Sequence, residues 1–267
     1  PFRPGVGLFP PCLAGKVAVL EIFSVRLFAG ITGSPRNIMV YGDKRMGKTC
    51  LLMRMEELSS SKKVLTVSTI ASCENLRSYV LNCAARLYAE VKAHGIITNG
   101  DTEGLLFDFQ SALGATTVAL ELAFTQFVVD LWSRIEESVP ALLITIDDID
   151  LITEGGEALL FVHNVMRNLY RKNCPLIFAI SCSVDYYEKN KKRQSKLVEC
   201  FEAIKVEKLL RTSLENAVKV PLWEQEIPFD EEVVKEIARL SDGFPFCVQH
   251  IRPYVYEEMS TGFDALA

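Results

Sequence analysis

The run GDKRMGKT at residues 42–49, set directly after the apolar stretch Asn37-Ile38-Met39-Val40-Tyr41, constrains this chain more than any other feature. A loop of the form G-x-x-x-x-G-K-[ST] between a strand and a helix closes its backbone amides around phosphate oxygens. Gly42 and Gly47 are expected to leave room for that approach, where a Cβ would intrude. Lys48 is expected to reach the β- and γ-phosphates of a nucleotide, ATP or ADP, and the Thr49 hydroxyl to hold Mg²⁺. Asp43, Lys44, Arg45 and Met46 lie between the glycines and Cys50 follows, so all belong to the expected nucleotide-contacting stretch. Leu51 to Leu58 reads as a helix whose N-terminal amides and dipole face the anion.

A second run, ALLITIDDID at residues 141–150, reads as a buried strand ending in adjacent acids. In a parallel sheet its end lies at the same carboxyl edge as the phosphate loop. Asp147 is expected beside the metal, since a carboxylate at a buried strand end needs a cation. Asp148 stands where it would orient or activate an attacking water. Asp is one methylene shorter than Glu, and a misplacement of about 1 Å costs on the order of 100-fold in rate, so slow hydrolysis is expected.

The rest of the chain alternates. Residues 1–14 are rich in Pro and Gly and read as an arm. Gly15 to Ala29 has helical spacing through Val17, Leu20, Val25 and Phe28, and Val64 to Thr69 reads as a strand. Cys73 to His94 is helical, with Leu76, Val80, Ala84, Leu87 and Val91 on one face. Residues 95–117 suggest an irregular insert or hairpin, and Val118 to Ser138 a helix with Leu122, Phe127 and Leu131 inward. Leu142 to Ile146, Leu176 to Ser181 and Phe201 to Val206 read as strands, with a helix from Gly156 to Lys172 between the first two. Thr212 to Val220, Asp230 to Leu240 and Phe246 to Glu258 then read as successive helices. This order predicts an α/β fold: a three-layer sandwich around a parallel sheet, of the P-loop NTPase type, with a C-terminal helical lobe. The expected division is an arm and helix at 1–36, the core at 37–208 and the helical lobe at 209–267.

Composition narrows the partners. A net charge of −5 opposes a broad nucleic-acid surface, and Lys189 to Arg193 is the one local basic candidate. Apolar runs such as Ala141 to Ile146 are too short to span a bilayer, so no membrane association is expected. Eight cysteines without a C-x-x-C pair suit a reducing, cytoplasmic setting. His94, His163 and His250 show no zinc-ligand spacing.

Taken in order, these motifs resemble an AAA+-type P-loop ATPase, in the bacterial and archaeal group between replication-initiator ATPases and STAND signalling ATPases. The resemblance rests on PPCLAGK at 10–16, VYGDKRMGKTCLL, LLITIDDID, PLIFAISCS at 175–183 and SDGFPFCVQHI at 241–251. It implies that the first of these packs near the adenine, with Lys16 where Arg is usual. It implies a sensor residue among Ser181, Cys182 and Ser183, of which Ser181 is chosen, donating to a γ-phosphate or the attacking water, although a strand-end serine bonded to backbone reads the same way. It implies a lid whose Gly-x-Pro turn brings Pro245 near the base, a role that competes with plain helix initiation. No sensor arginine is evident in that lid. Arg193 falls roughly where such ATPases offer an arginine finger to a neighbouring subunit, and where a solvated charge run would look the same.

The function expected is therefore a Mg²⁺-dependent ATPase acting as a nucleotide-driven switch, with a homo-oligomer or a regulatory protein as partner. Three alternatives stay open. One is a DNA-associated initiator or regulator; relatives often carry a winged-helix module after the lid, and this sequence reaches Ala267 soon after its lid helix. Another is a nucleotide-gated scaffold with little hydrolysis. The third is a small-molecule kinase sharing the loop.

Overall fold

The apolar runs pair into one parallel sheet in the order β2-β3-β4-β1-β5. The strands are β1 Asn37–Tyr41, β2 Leu65–Ile70, β3 Leu142–Asp147, β4 Leu176–Cys182 and β5 Phe201–Lys205. The computed structural model describes residues 12–72, 75–95, 103–113, 116–152 and 155–250. Most of the expected arm (1–11), Cys73, residues 96–102 and 114–115 of the expected insert, and 251–258 of the last expected helix lie outside the described residues.

β3 and β4 are buried along their whole length, which explains their uninterrupted apolar sequence. The pleat sends Leu142, Ile144 and Ile146 into one core and Ala141 and Leu143 into another, one on each face. Helices α1 (Val17–Ile31) and α2 (Lys48–Ser61) cover the smaller core. The larger is covered by α3 (Leu76–Ala93), α4 (Glu103–Ala112), α5 (Thr117–Ile135) and α6 (Gly155–Tyr170), with α7 (Val184–Arg193) and α8 (Ser195–Val198) beside them. Beyond β5, α9 (Arg211–Trp223) and α10 (Glu231–Leu240) enclose a separate cluster in which Leu214, Val218 and Leu222 meet Val234, Ile237 and Val248. Residues 245–250 are helical as well. Among the described residues no helix is long and apolar enough to cross a membrane.

Several local expectations need correction. Of the residues that set the expected spacing in α1, Leu20 is partly buried against the core, but Val17, Val25 and Phe28 are 64, 62 and 69 % exposed, and Phe23, Leu27 and Gly30 face the sheet instead. Gly30 sets that rotation, because any Cβ there would overlap the Ile177 side chain of β4. In α5, Phe127 and Leu131 are buried as expected, but Leu122 is 62 % exposed. Residues expected as an insert or hairpin form α4, which buries Leu105 and Phe109 at helical spacing. The basic run around Arg193 is the last turn of α7 rather than a loop, a position where cations complement the helix dipole.

Candidate functional site

The strand order places β4 between β3 and β1, so the carboxyl ends of all three meet at one edge of the sheet. The phosphate loop leaves β1 there, and Gly47, with φ +84°, turns the chain into α2. That left-handed conformation is what glycine supplies at little cost. Gly42 is required for a different reason from the one expected: a Cβ there would lie 2.7 Å from the backbone carbonyl oxygen of Val206, beyond β5. Lys48 is buried, and its Nζ donates to the carbonyls of Gly42 at 2.9 Å and Asp43 at 3.1 Å, folding the side chain back along the loop.

Thr49 and the acids come together as the motif spacing anticipates. The Thr49 hydroxyl donates to Oδ2 of Asp147 at 2.7 Å. The other carboxylate oxygen of Asp147 accepts from the Ser181 hydroxyl at 2.5 Å, and Ser181 Oγ accepts the backbone N–H of Asp148 at 2.8 Å. One serine thus ties the end of β4 to both acids that end β3. Ser181 is fully buried, and Asp147 is 8 % exposed. Asp148 has φ +52°, a left-handed conformation uncommon for a residue with a Cβ, and it opens a short 3-10 turn at Ile149–Leu151. Burial, then the neighbouring Asp147 charge, push its carboxyl above the ordinary carboxylate range, with Lys48 opposing. Asp150 Oδ2 accepts the Ser183 N–H at 3.3 Å, joining this turn to the start of α7. Burial and then Asp147 also raise the Cys50 thiol.

A cleft of about 470 Å³ runs from this edge to the α9–α10 lobe. Its loop side is Lys44, Arg45, Met46, Gly47, Lys48, Thr49 and Cys50, with Asp148, Asp150, Leu151 and Ser183 beside them. The opposite side comes from Cys12, Leu13, Ala14 and Lys16 of the N-terminal segment and from Leu209, Ala217, Pro245, Phe246 and Gln249. Lys16 is buried; its Nζ donates to the Glu207 carbonyl at 3.0 Å, and burial lowers its pKa against the opposing charge of Glu207. The Gly243-Phe244-Pro245 turn is pinned to the same linker, with the Leu209 N–H donating to the Gly243 carbonyl at 2.8 Å.

No protein-family profile matches the chain, and no curated protein does. Solved structures do. The Aeropyrum pernix ORC2 protein in its ADP form aligns with a TM-score of 0.64 at 14 % identity, over 98 % of this chain and 69 % of that one. The fold is that of the AAA+ P-loop ATPases. AMPPCP-bound DnaA from Aquifex aeolicus aligns with a TM-score of 0.51 at 17 % identity, over 94 % of this chain and 62 % of that one. Domain III of the Thermotoga maritima replication initiation protein DnaA gives 0.52 at 16 % identity, over 98 and 92 %. The chain therefore spans less than two thirds of Aquifex DnaA and nearly all of the isolated Thermotoga domain.

Within this AAA+ fold, Lys16, Lys44 to Cys50, Asp148 and Pro245 border one cleft, while Gly42, Asp43, Asp147 and Ser181 stand behind its lining. Arg193 is exposed at the end of α7 and does not border the cleft. Sequence reasoning missed Asp150, Phe246 and Gln249 as cleft residues. All of them lie inside or beside motifs already singled out: Asp150 ends ALLITIDDID, and Phe246 follows Pro245.

Proposed function

We propose that this chain binds ATP and ADP with Mg²⁺ in the cleft, hydrolyses ATP slowly or on stimulation, and uses the nucleotide to set the helical lid that begins at residue 209. One observation carries the reading: the Thr49 hydroxyl and the Asp147 carboxylate, 98 residues apart in sequence, are hydrogen-bonded at the mouth of a phosphate loop. The ADP and AMPPCP complexes of the structural neighbours support it.

The donor set fits Mg²⁺. Thr49 and Asp147 offer hard oxygens, the donors Mg²⁺ prefers, and would hold it. Bound there, it would supply positive charge to offset the negative charge developing on the transferred phosphoryl group. Lys48 exchanges its carbonyl partners for phosphate oxygens, and the amides at the start of α2 cradle the anion. Asp148 borders the cleft and orients the attacking water. In this reading Ser181, whose hydroxyl hydrogen is committed to Asp147, is a positioning residue that aims the metal-side acid.

A switch requires ligands that contact the two lobes differently. Phosphates touch the core, while Lys16, Leu209 and Pro245 line the part of the cleft that joins core to lid. DNA-dependent action, subunit assembly and an Arg193 finger stay within the reading as partner questions; concentration-dependent turnover that Arg193→Ala abolishes would mark the finger.

Equilibrium titration of a fluorescent ATP analogue, with and without Mg²⁺, tests the core claim. Lys48→Ala is expected to weaken binding roughly 10- to 100-fold, the worth of a hydrogen bond to a charged partner. Asp147→Asn is expected to remove most of the Mg²⁺ dependence. Wild-type affinity in Lys48→Ala would sink the site. Steady-state phosphate release from Asp148→Glu, expected to exceed wild type, reads the slow-hydrolysis claim separately.

A further inference from the structure

The lid contributes an aromatic ring to the cleft, and the phosphate loop contributes a cation that faces it. Arg45 Cζ lies 5.3 Å from the centroid of the Phe246 ring. Both residues line the same cleft, Arg45 among the loop residues and Phe246 directly after Pro245. Arg45 has φ +68°, a left-handed conformation unusual for a residue with a Cβ. Among the described residues no carboxylate is within salt-bridge reach of it, whereas Arg211 and Arg239 of the lid are each paired with a glutamate on their own helix. The Phe246 ring also rests against His250, with centroids 4.1 Å apart.

A guanidinium has two kinds of surface. Its faces stack on aromatic rings, and its edge carries donors in the plane that match phosphate oxygens. Seated over the Phe246 ring, the Arg45 guanidinium can turn its donors to an anion in the loop. The ring in turn limits the rotamers that a long, exposed side chain otherwise samples.

We propose that Arg45, held by Phe246, is a phosphate-binding residue that couples phosphate occupancy to the position of the lid. The charge sensor then sits on the loop and its aromatic seat on the lid. Because coupling is reciprocal, a bound triphosphate favours the lid position that supplies the ring, and that position favours the triphosphate. The inference rests on the nucleotide-site reading above.

A double-mutant cycle tests it, with a non-hydrolysable ATP analogue and adenosine each titrated by competition against a fluorescent nucleotide. Arg45→Ala should weaken the analogue about 10-fold, as expected for a charge-assisted hydrogen bond. Phe246→Leu should weaken it roughly 3- to 5-fold, the worth of a partly exposed cation–π contact. Phe246→Tyr keeps the ring and should keep wild-type affinity. The double variant Arg45→Ala/Phe246→Leu should bind no worse than Arg45→Ala alone, and adenosine should bind all of them equally. Additive losses, or equal losses for adenosine, would overturn the coupling while leaving the site intact. Failure of the wild-type chain to bind the analogue would instead overturn the site reading and this proposal with it.

Discussion

The cleft has two walls built on opposite principles. On the sheet edge, Thr49, Asp147, Ser181 and the Asp148 amide form a chain of short hydrogen bonds among residues anchored at strand ends or at the first turn of α2. At the joint with the lid, contacts come from the linker after β5. Lys208 pairs with Asp242 at 2.6 Å and lies over the Phe244 ring at 4.5 Å, while Lys16 reaches the Glu207 carbonyl. The first wall ties short side chains to strand ends. The second adds long lysine side chains to a backbone bond, Leu209 N–H to the Gly243 carbonyl, around a turn in which Gly243 has φ +83°. In the proposed reading, a site that binds phosphate in fixed geometry and lets a lobe move gains from that division.

The same substitution made in each wall tests the contrast. Gly42→Ala would set a methyl 2.7 Å from the Val206 carbonyl oxygen, backbone on backbone, with nothing flexible to yield. We expect a loss of global stability of about 1–3 kcal/mol, the usual cost of forcing volume into a packed region. Thermal and denaturant melts would show it, with protection lost across the sheet by hydrogen exchange. Gly243→Ala would set a methyl 2.7 Å from Cβ of Lys208, so the linker must shift to admit it, and the left-handed backbone adds about 1–2 kcal/mol to that overlap. Hydrogen exchange should place that loss in α9, α10 and the turn, leaving the core strands protected as before. If Gly243→Ala loosened the strands as much as Gly42→Ala, the walls would be a single cooperative unit and the contrast would fail.

How much of this was legible depended on whether a signal was local. The phosphate loop, the acid-ended strand and the helix α3 announce themselves by spacing. Every member of the predicted α3 face, from Leu76 to Val91, is buried. α1 misleads because VAVLEIFSVRLFAGI carries apolar residues around most of its circumference, so period alone permits more than one stripe. The rotation is chosen by a long-range contact, Gly30 against Ile177. α4 was obscured by the glycines of its surroundings, although Leu105, Phe109 and Leu113 carry a helical repeat. In the site, Ser181 was visible as a strand-end hydroxyl, but its two partners follow only from β4 lying beside β3. The Arg45–Phe246 pair joins two motifs that sequence reading treats separately, and neither spacing predicts their meeting.

The smallest effect probes whether the sheet-edge wall is fixed against its own electrostatics. Asp148 is half-buried beside Asp147, and its carboxyl is held above the ordinary range by burial first and by that neighbour second. An acid whose pKa is higher in the folded chain than in the unfolded one destabilises the fold when ionised. The penalty is absent below the unfolded value, about pH 4, and grows as pH rises through the folded value. Asp148→Asn removes the charge, so at neutral pH the variant should melt slightly above wild type, and the gap should close on acidification. Asparagine also sits more easily than most residues at φ +52°, but aspartate shares much of that tolerance, and a backbone preference does not titrate. The slope of the difference against pH therefore separates electrostatics from conformation. A gap that stayed constant from neutral pH to below about pH 4 would assign it to the backbone, and the wall would carry no charge strain for a bound cation to relieve.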